Sequence, residues 1–314
     1  MLGRTANGIF WLFRYLERAE NTVRLLDAGF RMALTRNVAT SEEEWRSVIV
    51  TIGQRAAYEA RNGTYAGVQV FNWILRDKNN SESVLRMIEA ARTNARMVRA
   101  GLTREVWEAI NETWMRLSDA LTRPVRENSL GGVLDLVRRQ STQVRGAMDG
   151  TMLRNEIYNF ARLGKFIERA DNTARILDVK YYVLLPAVSY VGSSLDNVQW
   201  DNVLRSVSAE RAYRWLNAGR MDPRSIAEFL ILDGRFPRSL AFCYSKISSN
   251  LASLERDYGN AMPCHAMLAE SAGLVGQGRI EEIFETGLHE FIGGFIARNQ
   301  ALAAQVQRDY RFTE

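Results

Sequence analysis

Residues 14–27 of this chain are written a second time at 165–178. Arg14-Tyr15-Leu16-Glu17-Arg18-Ala19-Glu20-Asn21-Thr22-Val23-Arg24-Leu25-Leu26-Asp27 returns as Lys165-Phe166-Ile167-Glu168-Arg169-Ala170-Asp171-Asn172-Thr173-Ala174-Arg175-Ile176-Leu177-Asp178. Eight of the fourteen positions are identical, five more keep their chemical type, and the offset is 151. The likeness continues with small insertions. Glu44-Trp45-Arg46-Ser47-Val48-Ile49 matches Gln199-Trp200-Asp201-Asn202-Val203-Leu204, and Ala57-Tyr58 matches Ala212-Tyr213, both at 155. Leu75-Arg76-Asp77 with Ser83-Val84 matches Ile231-Leu232-Asp233 with Ser239-Leu240 at 156, and Asn94 falls on Asn250. Solenoid units run to roughly 20–50 residues, so a period this long argues for a duplicated bundle instead. We read one domain over 1–314 built of two related halves, 1–150 and 151–314, with a pseudo-twofold relation between them.

Every periodic stretch reads as helix. Leu12, Leu16, Ala19, Val23, Leu26 and Phe30 step by three and four and form one apolar stripe. Ser41 and Glu44 form a capping box ahead of Trp45, and Asp222-Pro223 is an N-cap followed by a first-turn proline. Thr103 caps a helix over 104–121, and Asn80 one over 81–99. Asn62-Gly63 and Gly276-Gln277-Gly278 fall between runs. No alternating strand stands out. The expected fold is all-α, an internally duplicated helical bundle of around ten helices.

The repeated segment also carries a polar ridge. At about 100° per residue, Glu17, Asn21 and Arg24 share one face with Glu20 and Asp27 on its flank; Glu168, Asn172, Arg175, Asp171 and Asp178 repeat the pattern. Nearby positions diverge, Phe13 to Gly164 and Gly29 to Lys180. Exposed i,i+4 pairs contribute only about 0.2–0.5 kcal/mol, too little to hold such a ridge in place, so it is expected to be at least partly buried. Three roles stay open. It is a structural ion-pair network, or a cleft in which Arg18, Arg24, Arg169 and Arg175 hold a carboxylate or phosphate, or a face that meets another protein.

Composition narrows the chemistry. Hydrophobic residues make up 46% and charged residues 25%, the balance of a globular chain. Only Lys78, Lys165, Lys180 and Lys246 interrupt a basic complement that is otherwise arginine, and the net charge is +5. No basic run with interleaved aromatics points to nucleic acid. The apolar run Tyr181 to Val191, broken by Pro186, is too short to span a bilayer. The opening Met1-Leu2-Gly3-Arg4-Thr5 lacks the pattern of a signal peptide, and Cys243 and Cys264 are too few for a disulfide framework. A cytoplasmic protein away from membranes is expected.

Glu285 and His289 read as i,i+4 neighbours on one helical face with Glu282 a turn earlier, yet di-iron bundles use Glu-x-x-His pairs. A hydrogen-bonded packing histidine is the better reading, and no metal or cofactor is expected. Cys264-His265 is a poor nucleophile pair, since adjacent helical residues seldom face each other. No P-loop, dinucleotide fingerprint or Gly-x-Ser-x-Gly occurs. Trp45 and Trp200, in matching places, read as core.

Arg14 to Asn21, preceded by Leu2-Gly3-Arg4-Thr5-Ala6, resembles the bacterial alpha-E domain family, named for a predicted all-helical fold with a Glu-Arg motif. Asn94-Ala95-Arg96, Glu105-Val106-Trp107-Glu108 and Gly287-Leu288-His289-Glu290 also look like that family, so the likeness covers the chain. Its members are typically encoded beside, or fused to, a circularly permuted ATP-grasp protein, often with a transglutaminase-like protein nearby. The resemblance therefore implies a non-catalytic scaffold or substrate-presenting partner of an ATP-grasp amide or peptide ligase, which would supply the ATP chemistry. Two alternatives stand beside it: an enzyme of peptide or amino-acid modification using the paired Glu-Arg helices, and a small-ligand or peptide-binding module.

Overall fold

The structure is a computed structural model that describes residues 1–34, 38–182, 194–218 and 221–313, with the side chains of 38–40, 179–182 and 194–197 left aside. The run from Tyr181 to Val191 with Pro186, apart from the backbone of Tyr181 and Tyr182, and the Lys180 side chain therefore lie outside what is described. The described residues are all-helical, with no strand. Two compact units emerge, Met1–Lys165 with Phe312–Glu314, and Phe166–Arg311. The boundary falls inside a helix, fifteen residues beyond the 150/151 division of the repeat.

The first unit holds α1 (Gly3–Ala33), α2 (Val38–Thr51), α3 (Arg55–Glu59), α4 (Gly67–Arg76), α5 (Val84–Met97), α6 (Arg104–Ala120), α7 (Glu127–Thr151) and the start of α8 (Glu156–Tyr182). The second continues α8 and adds α9 (Ser194–Ser206), α10 (Glu210–Leu216), α11 (Pro223–Ile231), α12 (Leu240–Tyr258), α13 (Pro263–Gly276), α14 (Ile280–Thr286) and α15 (Leu288–Asp309). Among the described residues these are fifteen α-helices rather than ten or so. Pieces of five to seven residues, such as α3, α10 and α14, are too short for a 3.6-residue period to reveal.

Helix α1 is the axis of the first unit and packs on α2, α5 and α7. Surrounded in this way, it buries its apolar stripe and much of its polar ridge. Glycines set the closest approaches. A Cβ on Gly8 would meet Val98 at 2.6 Å, one on Gly29 would meet Val48 at 2.5 Å, and one on Gly164 would lie 2.2 Å from the Phe10 carbonyl oxygen. That last contact explains why Gly164 replaces the phenylalanine of the first copy, Phe13. Here α8 lies against the backbone of α1 and has no room for a side chain.

Caps behave as the local chemistry demands. Thr103 Oγ1 accepts from the Val106 amide at 3.4 Å, and Asp222 Oδ2 from the Ser225 amide at 2.8 Å. Two expected starts move. Helix α2 is already running from Val38, so Ser41 lies inside it. Asn80 Oδ1 accepts from the Glu82 amide at 3.0 Å and closes a turn, and α5 starts only at Val84 with Ser83 as N-cap.

Hydrogen bonds recur at the offsets of the sequence repeat. The Thr51 hydroxyl donates to the Ser47 carbonyl at 2.8 Å, as Ser206 does to Asn202. The Asn62 amide side chain donates to the Tyr58 carbonyl at 3.1 Å, as Asn217 does to Tyr213. Asp77 Oδ1 accepts from the Asn79 amide at 2.8 Å, and Asp233 Oδ1 from the Arg235 amide at 2.8 Å. Trp45, Trp200, Tyr58 and Tyr213 are all buried, the two tryptophans in the core as expected.

Candidate functional site

On α1 the ridge is buried. Glu17 is 3% exposed, Glu20 0% and Asn21 1%. A carboxylate removed from water requires charged hydrogen-bond donors, and Glu20 has two guanidiniums. Arg24, one turn on, donates through Nε at 2.9 Å and Nη2 at 2.6 Å to Oε1, while Arg145 of α7 donates to Oε2. Asp27 accepts from Arg31 at 3.4 Å and from Arg138 of α7 at 2.9 Å; Arg138 also pairs with Asp135. Arg18 turns outward to Glu82 at 2.9 Å. The space enclosed by Glu17, Glu20, Arg145 and Lys165 is about 10 Å³, room for one water at most.

On α8 the same register has other partners. Glu168 and Arg169 are buried, and Asn172, Arg175 and Asp178 are half-buried. Arg175 Nε donates to Asp171 Oδ2 at 2.6 Å, repeating the local pair. Arg169 donates to the Pro237 carbonyl at 3.2 Å, the Thr173 hydroxyl to the Arg238 carbonyl at 2.8 Å, and Asp178 meets His289 Nδ1 at 2.6 Å. The expectation of a sheltered polar ridge thus holds on both helices, with Arg18 and Arg175 at its wetter margin.

Glu285 and His289 do not share a helix face. Gly287, at φ +101°, ends α14 and begins α15 between them, and glycine alone takes that backbone comfortably. Among the described residues no three His, Cys, Asp or Glu side chains gather as metal ligands. Cys264 Sγ does come within 3.7 Å of His265 Nδ1. That nitrogen accepts from the Met262 amide at 2.9 Å, and Nε2 faces the Leu251 carbonyl at 3.1 Å, so the ring is held by backbone. Burial and the nearby Asp309 push the Cys264 thiol far above its usual range, away from the thiolate a nucleophile needs. Cys243 and Cys264 are both buried thiols.

A roomier site in the first unit lies where the sequence pattern points to none. The start of α1 and the end of α5, drawn together at Gly8 and Val98, frame a cleft of about 570 Å³ lined by Arg4, Asn7, Trp11, Tyr15, Asn94 and Met97 among others. A second cleft of about 510 Å³ adjoins it through Tyr15 and Asn94 and reaches Lys78, Arg86 and Glu89. The Trp11 and Tyr15 rings sit 5.5 Å apart, and the Arg14 guanidinium lies 4.7 Å from the Trp11 centroid. Asn7 Oδ1 is buried with no hydrogen-bond partner. The signal was present in two segments, Leu2 to Ala6 and Asn94 to Arg96, ninety residues apart. Only the packing of α1 on α5 joins them.

The profile of one family, Alpha-E, described as a predicted alpha-helical domain with a conserved ER motif, matches residues 1–310. The chain is also similar to an uncharacterized protein of Mycobacterium bovis and to two of Mycobacterium tuberculosis, each 21% identical over 285 residues. The match covers 83% of this chain and 31% of each relative, so the chain spans about a third of the length of the curated relatives it matches. No solved structure matches it. Among the described residues no helix is long and apolar enough to cross a membrane.

Proposed function

The chain belongs to the Alpha-E family, and from that premise we propose that it is a non-catalytic helical scaffold or substrate-presenting partner of an ATP-grasp amide or peptide ligase, with a transglutaminase-like protein as a further associate. One observation carries the non-catalytic part. The ridge that carries the motif is buried at Glu17 and Glu20, and its acids are committed to ion pairs, Glu20 to Arg24 and Arg145 and Asp27 to Arg31 and Arg138, with space for a single water beside Glu20. A general acid or base works on a reacting atom within hydrogen-bond reach, and a carboxylate already held by two guanidiniums is poorly placed for that task. The ligase association rests on the family resemblance. The curated relatives support it to this extent, that the matched region is about a third of a longer chain in each and so works joined to something more.

The same reading makes the chain one ancestral bundle doubled, supported by the hydrogen bonds that recur at offsets of 155 and 156. It places the protein in the cytoplasm, where a ligase finds ATP and where two buried thiols stay reduced. A peptide-binding role is favoured within this reading by the paired clefts on α1 and α5, which would hold a substrate while the ligase acts.

Affinity purification of the full chain from its native cell tests the proposal. An ATP-grasp protein is expected in the eluate, with amide-bond formation that needs both proteins and ATP. Turnover by the chain alone, lost in Glu17→Gln, would favour the enzyme reading instead.

A further inference from the structure

We propose that the paired clefts along α1 and α5 form one groove for an acidic peptide in extended conformation; this rests on the substrate-presenting reading above and specifies what is presented. The length fits. Arg4 and Tyr15 are eleven residues apart on one helix, about 16 Å at 1.5 Å per residue, and the second cleft extends the path to Lys78 and Arg86. An extended peptide covers about 3.3 Å per residue, so the first cleft takes about five residues.

The charges fit an anion. Of the ionisable residues lining the clefts, Arg86 and Glu89 neutralise each other at 2.8 Å, which leaves Arg4 at one end and Lys78 at the other, both exposed and neither with an acidic partner. The polar groups ask for more than an anion. Asn94, on the opposite wall, offers both a donor and an acceptor to a peptide unit, whereas a phosphodiester backbone has acceptors alone to give it. Trp11, already flanked by Arg14 and Tyr15, also has little ring face left for a stacked base. A ligand with carboxylates spaced along an amide backbone satisfies every group.

The test uses fluorescence anisotropy of the full chain with fluorescein-labelled hexaglutamate, hexalysine and an oligothymidylate of six residues. Saturable binding of hexaglutamate alone is expected, weakened at least tenfold in Arg4→Glu with Lys78→Glu and unchanged in Arg211→Glu, an exposed arginine of the second unit. Both groove residues are exposed, so the double variant should keep the wild-type melting curve, and Asn94→Ala serves as an uncharged second variant that also weakens binding. The proposal is overturned if hexaglutamate fails to bind, if the oligothymidylate binds as tightly, or if Arg211→Glu loses as much as the double variant. Affinity purification of the same proteins separates the two readings. A ligase captured by a wild-type chain that ignores hexaglutamate removes the groove and keeps the scaffold, and peptide binding with no ligase captured does the reverse.

Discussion

The Glu-Arg ridge of α1 and its counterpart on α8 share a register and differ in their distant partners. Each keeps the pair one turn apart, Glu20 with Arg24 and Asp171 with Arg175. Beyond that turn they part: Glu20 gains Arg145 and Asp27 gains Arg138, both from α7, whereas Asp178 takes His289 from α15. Burial follows the same order, with the Glu20 side chain at 0% exposure and Asp171 at 12%. The local pair is therefore what a helix carries within itself, and the distant partner is what each unit adds according to how deeply it buries the acid.

The sharpest way to break that comparison is to remove the two acids in turn. Glu20→Ala strands two guanidiniums in a poorly hydrated place and should cost about 3 kcal/mol in urea denaturation. Asp171→Ala loses a wetter pair and should cost about 1 kcal/mol or less. Equal losses would mean that depth does not grade the ridge.

Gly164→Ala comes next, at about 2–3 kcal/mol, because its Cβ must displace the Phe10 carbonyl of a packed helix. Gly146→Ala, exposed on α7 with open space around it, should be neutral or stabilising by melting temperature.

The caps of the two units differ in whether they titrate. Asp222 is held below the usual carboxylate range by hydrogen bonds from the Ser225 hydroxyl and then from backbone amides. A depressed value in the folded state means the cap's stabilisation is complete above the ordinary carboxylate range and lost as pH falls through the folded value. Asp222→Ala should therefore cost about 1 kcal/mol at neutral pH, with the difference from wild type closing below about pH 4. Thr103→Ala on α6 should cost a similar amount with no such closure.

The smallest effect concerns one backbone position. Gly53 and Ser208, equivalent in the repeat, both adopt left-handed φ, +74° and +56°. Ser208→Gly should stabilise by about 0.5–1 kcal/mol and Gly53→Ser destabilise by a similar amount, read as opposite shifts in melting temperature.

Much of this architecture can be read from residues because it is local. The apolar stripe of α1, the caps Thr103 and Asp222, and the sheltered ridge all follow from spacing within a turn or two. What escapes is what local spacing does not encode. The break at Gly287 turns on a single φ, inside a run that otherwise reads as continuous helix, and so i,i+4 spacing does not put Glu285 and His289 on one face. The start of α2 escapes because a good capping signal at Ser41 can sit inside a helix begun earlier. The groove escapes because Arg4 and Trp11 on α1 and Asn94 on α5 meet only where Gly8 admits Val98.

The Phe312 ring, 1% exposed, packs edge-on against Phe10 at 5.4 Å and Phe160 at 5.9 Å, inside the unit formed by the first 165 residues. A ribosome making this protein therefore releases the start of that unit long before the aromatic plug that closes it. Until the plug emerges, the nascent half carries a hole in its interior. Its final consolidation waits for that residue, and nascent chains halted short of residue 312 should be the ones that chaperones hold longest.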